Sequence, residues 1–274
     1  MPMSFSLSEW LNLAVRWFHV FAGILWIGQT YFFTWLDGRL SAEGKAGAKP
    51  NPGEQVWMVH SGGFYVVEKQ KVPELLPRTL HWFRWEAALT WLSGMVLLVI
   101  VYYMGGVLVD DSVANISVGT GVAIGVGVLI VSWVIYDLLV QSPLGRSEAT
   151  FAMVSFLLVV AITFGLTHVL SGRAAYIHVG AMFGTIMAAN VWMRILPAQR
   201  KMVAALKEGK TPDATLAARA KLRSKHNTYM VVPLVFIMVS NHFPTASYGN
   251  SYNWEILAVL ILVGWAAARI IRRA

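Results

Sequence analysis

The chain has 274 residues, of which 57% are hydrophobic and 13% charged, and its mean hydropathy is +0.57. Its apolar runs are long enough to cross a hydrocarbon layer of about 30 Å, which excludes an ordinary soluble enzyme and defines a polytopic membrane protein. No cysteine is present, so disulfides, thiolate metal sites and covalent attachment of haem c are excluded.

In chain order, hydropathy predicts about seven spans, near 10–36, 83–104, 119–140, 150–169, 174–196, 228–243 and 254–271. The first is expected to be retained, because Met1 to Glu9 lacks the basic start of a signal peptide. The connection 37–82 is long. Its Gly/Pro/Lys-rich part, Gly44 to Gly53, reads as flexible, whereas Trp57 to Tyr65 is aromatic enough to lie against the membrane or pack into the bundle. The connection 197–225 alternates Ala/Leu with Lys/Arg and predicts a short basic amphipathic helix at the lipid headgroups.

The basic residues alternate along the chain. Seven Lys/Arg lie from Arg39 to Arg84, none in Gly105 to Gly119, nine from Arg194 to Lys225, none in Phe243 to Asn253, and three end the chain. This pattern puts the N-terminus outside and the C-terminus in the cytoplasm. The net charge of +8 is accounted for by topology, without a nucleic-acid partner. The expected architecture is an all-α membrane bundle forming one integral-membrane domain over 1–274, with cytoplasmic loops at 37–82 and 197–225.

The same topology sorts the seven histidines. His19, His168, His178 and His242 fall in the outer half, and His60, His81 and His226 near the inner face. An imidazole inside a span is costly without a partner. His19 shares a helical face with Ala22, Gly23 and Trp26, and His178 with Ala181, Met182 and Thr185, leaving room for the flat ring of haem b. The fragment His19-Val20-x-Ala22 recurs as His178-Val179-x-Ala181, which suggests two imidazoles at one depth. His168 and His242 are candidates for a second haem or for tuning the first, and Arg173 for pairing with propionates. A single histidine near a helix end is more often an interfacial hydrogen-bonding residue, so the reading rests on number and shared depth.

The inner group suggests chemistry of another kind. Glu86 begins a polar stripe with Thr90 and Ser93, and a carboxylate within a membrane calls for a cationic partner, with Arg84, Arg194 or His226 as candidates. Lys225-His226-Asn227-Thr228-Tyr229 brings donors, acceptors and a titratable group into the sixth span. That set suits a polar planar ligand entering from the cytoplasm.

These stretches together resemble the bacterial membrane urate hydroxylases, the cytochrome-c-linked urate oxidases. The resemblance is carried by Arg16 to Phe33, His60 to Lys69, His81 to Gly94, His178 to Arg200 and Ser224 to Pro244. It implies oxidation of urate to 5-hydroxyisourate without hydrogen peroxide in a bacterial inner membrane, with electrons passing through haem to cytochrome c. Members of this kind carry a C-terminal cytochrome c domain, which this sequence does not include. It further implies Glu86 or His226 as proton acceptor, Arg84, Asn227, Thr228 and His81 as substrate contacts, and one or two haem b groups on His19 and His178. The histidine in the first span also looks like that of membrane protoporphyrinogen oxidases of the HemJ type, and a small-molecule transporter with a proton relay is a third reading.

Overall fold

The structure is a computed structural model that describes residues 6–42, 55–70 and 79–273; the stretch Gly44 to Gly53 lies outside them. The chain runs as α1 (Leu7–Ala42), β1 (Gln55–His60), β2 (Gly63–Glu68), α2 (Trp85–Leu97), α3 (Val118–Gln141), α4 (Glu148–Thr167), α5 (Gly172–Ala189), α6 (Leu196–Lys207), α7 (Ala214–Ser240) and α8 (Asn253–Ile271). It is an all-α membrane bundle whose one sheet, among the described residues, is the β1–β2 hairpin.

Local sequence explains where the helices begin. Ser117, Ser147 and Ser171 each accept a backbone N–H three residues ahead, and Asp213 accepts that of Thr215, two residues ahead; such caps contribute about 1 kcal/mol apiece. The Thr215 hydroxyl and backbone N–H also hold the exposed Asp213 carboxyl below the usual range.

Among the described residues, six helical segments are long and apolar enough to cross a membrane. The stretch 228–243 is not one of them. It forms the outer part of α7, which begins fourteen residues earlier among charged side chains, and 228–240 would extend only about 20 Å at 1.5 Å per residue. Nor is 197–225 a separate surface helix. A π-turn at Asn190–Ile195 joins α5 to α6 as one continuous rod, and α7 folds back along it from Ala214. A second π-turn, Leu98–Tyr103, ends α2. Extra residues per turn re-aim side chains, and both π-turns carry polar residues that cross to neighbouring helices.

Helix α5 is the axis of the fold. Tyr176, Val179, Met182 and Met187 are fully enclosed by α3, α4 and α7. Close approach is made possible by small residues: a Cβ on Gly180 would stand 2.9 Å from Ile237, and one on Gly264 of α8 would stand 2.9 Å from the ring of Pro233 in α7. By contrast α1 packs mainly on α2 and is otherwise open.

The segment Trp57 to Tyr65 does not enter the bundle. It forms the hairpin, turning through Ser61 and Gly62 with φ of 51° and 76°, as a tight two-residue turn requires. Trp57, Val59, Phe64 and Val66 lie on one exposed face. Lys69 after the hairpin and Lys221 of α7 both pair with Asp37 near the end of α1, which ties these elements together.

Candidate active site

At the end of the bundle expected to face the cytoplasm, α3, α4, α5, α7 and α8 enclose a cavity of about 530 Å³, within the range of small-ligand sites. Its wall is mostly apolar, with His226, Tyr136, Ser155, Trp265, Glu148 and Lys225 among the polar exceptions. The His226 imidazole stacks on Phe151, centroids 4.5 Å apart and planes 9° from parallel. Its Nδ1 lies 2.9 Å from the Tyr136 hydroxyl. Ser155 Oγ and Trp265 Nε1 are buried without a partner among the described residues. Orphaned polar atoms in such a wall suit a ligand that supplies their hydrogen bonds. Glu148 and Lys225 pair at 2.5 Å, and Arg269 also lines the cavity.

Behind this wall lies a buried polar network that sequence reasoning missed. Arg223 of α7 and Arg194 of the π-turn both pair with Asp137 of α3. Arg223 also donates to Asn190, which donates to Tyr136 and Asn227. An ion pair in a low-dielectric setting persists only when its remaining hydrogen bonds are satisfied, and here the neighbouring amides do that. The available signal was Asp137 itself, the one carboxylate in the apolar helix Val118–Gln141.

The substrate and catalytic residues expected from sequence divide between two places. His226 lines the cavity, whereas Asn227, one residue on, faces α5 and donates to the Met187 carbonyl. Thr228 is buried and accepts from Arg272 at 2.7 Å. Arg84, Glu86 and His81 are outside the cavity wall. His81 is exposed beside Phe83, Arg84 lies over Trp85, and Glu86 Oε2 is buried with no partner among the described residues. Of the cations proposed for Glu86, Arg194 pairs with Asp137 and His226 meets Tyr136, while Arg84 Nε is itself buried without a partner among the described residues.

The outer histidines do not share one environment. His168 is exposed and bonds the Phe164 carbonyl; His242 is exposed beyond the end of α7. His178 is fully buried, with Nδ1 2.7 Å from the Ala174 carbonyl and Nε2 3.2 Å from the Tyr103 hydroxyl. Both nitrogens are engaged, so no lone pair is free for iron. His19 is half-buried against α2, its Nδ1 3.0 Å from the Thr90 carbonyl and 3.0 Å from Ser93 Oγ. A carbonyl only accepts, so Nδ1 carries the proton and Nε2 keeps its lone pair. This is how metal-binding imidazoles are oriented, and α1 exposes Trp17, Phe18 and Phe21 around it. His19 is therefore a residue that would hold haem iron through Nε2; His178 in this arrangement would not. Helix α2 also separates them: His19 meets it at Thr90–Gly94, and His178 meets it about two turns further on, at Tyr103. Arg173 is held by Asn241 at 2.9 Å beside Tyr102.

Fold and site define an integral-membrane bundle with a sparsely polar cavity between its helices. The chain belongs to the urate oxidase N-terminal family, whose profile matches residues 5–272, and the family places it among urate-related oxidoreductases. No curated protein and no solved structure matches the chain.

Proposed function

We propose that this chain oxidises urate to 5-hydroxyisourate without forming hydrogen peroxide, with the cavity around His226 as the urate site. The family match over nearly the whole chain carries this reading, and the cavity supports it. Urate is planar and rimmed by carbonyl oxygens and N–H groups, complementing the flat Phe151–His226 stack and the uncommitted groups of Ser155 and Trp265. Lys225 and Arg269 against Glu148 leave the wall positive, which favours the urate anion.

The reaction balances as urate plus water giving 5-hydroxyisourate, two protons and two electrons. The cavity would orient the ring, and His226 and Glu148 are among its titratable groups. Haem, when bound, supplies a one-electron acceptor, and His19 is the residue that would hold it. From the outer half of the bundle the electrons would continue to a cytochrome c. Membranes carrying the chain should consume urate when supplied with oxidised cytochrome c, reduce two equivalents per urate, and release no peroxide. His226→Ala should abolish urate consumption, and Glu86→Gln should leave the Kd for urate unchanged. Peroxide formed in step with urate loss would overturn the proposal.

A further inference from the structure

The hydrogen bonds behind the cavity can be oriented one by one. The Met187 carbonyl only accepts, so Asn227 turns its Nδ2 toward it at 3.1 Å and its Oδ1 toward Asn190. Asn190 therefore presents Nδ2 to Asn227, and the same nitrogen lies 2.9 Å from the Tyr136 hydroxyl oxygen. Arg223 fixes Asn190 independently: a guanidinium only donates, and its Nη1 faces Asn190 Oδ1 at 3.3 Å. Two separate pins agree, and Asn190, Asn227 and Arg223 are all buried.

The Tyr136 oxygen accepts from Asn190, and the hydroxyl proton still needs an acceptor. The acceptor in reach among the described residues is His226 Nδ1, at 2.9 Å. Were Nδ1 to carry a proton instead, Tyr136 would face donors on every side and its own hydrogen would be stranded in a buried position. The His226 proton then belongs on Nε2, which makes no hydrogen bond among the described residues.

We propose that His226 meets its ligand as an N–H donor, its tautomer set by a one-way hydrogen-bond chain from Arg223 through Asn190 and Tyr136, and that the cavity selects a heterocycle presenting a lone pair there. Tyr136, Asn190 and Arg223 are positioning residues for this donor. Ligand selection rests on the urate reading above; the tautomer does not. His226 then recognises an oxygen or deprotonated nitrogen of the urate ring and takes no proton at Nε2, leaving Glu148 as the carboxylate of the cavity.

The test uses the full chain in lipid nanodiscs with ¹⁵N-labelled histidine, His226 being identified by the signals lost in His226→Gln. Without ligand, Nε2 should be protonated and Nδ1 not; an Nδ1-protonated ring overturns the proposal. Asn190→Asp replaces the donor to Tyr136 with an acceptor. The Tyr136 proton should turn toward residue 190, the tautomer should reverse, and the Kd for urate should weaken about 10- to 100-fold, the loss expected for one hydrogen bond to a charged partner. A reversed tautomer with unchanged Kd overturns the recognition role. If Asn190→Asp does not fold, Tyr136→Phe removes the same constraint, and the wild-type spectrum alone still decides the tautomer. Wild-type protein that shows the expected tautomer but binds no urate sinks the urate reading and leaves the hydrogen-bond chain intact.

Discussion

His19 and His178 begin the same four-residue pattern, His-Val-x-Ala, yet their surroundings are opposite. Around His178 the bundle is closed: the ring is fully buried, both nitrogens are bonded, and Gly125 of α3 lies so near that a Cβ there would stand 2.5 Å from Nε2. Around His19 one side of the ring is pinned by α2 and the other is open. Only 6% of the most apolar window of α1 is buried, against 61% for that of α5. An imidazole with both nitrogens used is part of the packing, whereas one with a pinned N–H and a free lone pair is poised for a ligand.

The contrast can be broken by mutation. His178→Ala should cost the most, about 2–4 kcal/mol, because it opens a void and strands the Tyr103 hydroxyl; thermal unfolding in detergent measures it. Gly125→Ala should follow at about 1–3 kcal/mol, since the α3 backbone and the His178 ring cannot both stay in place. Gly94→Ala is the matching change at His19, where the added Cβ would stand 3.0 Å from Cε1, and the loose α1–α2 seam should yield for about 0.5 kcal/mol or less. His19→Ala should barely shift the melting temperature while removing the b-type absorbance of the reduced protein. If His178→Ala is the variant that loses the absorbance while His19→Ala keeps it, the assignment of the two histidines is reversed.

Much of the fold was legible because a membrane span announces itself by length and apolarity. Glu86, Thr90 and Ser93 do lie on one helical face, and that face does meet another helix: Thr90 and Ser93 hold His19. The candidate site was legible only in part. His226 and Asn227 are adjacent in sequence, but successive helical residues point about 100° apart, so one lines the cavity and the other faces α5. Asp137, Arg194 and Arg223 come from three separate elements, and no local pattern connects them.

By itself the sequence determined the medium, the helical class, the positions of six of the seven expected spans and the family, because transfer of apolar side chains into lipid is nearly additive along the chain. Tertiary structure alone decided which polar groups meet. A hydrogen bond depends on the direction of two side chains to within a few tenths of an ångström. Here those directions were set by the π-turns in α2 and between α5 and α6, and by glycine contacts that let the helices close around His178 and leave His19 open.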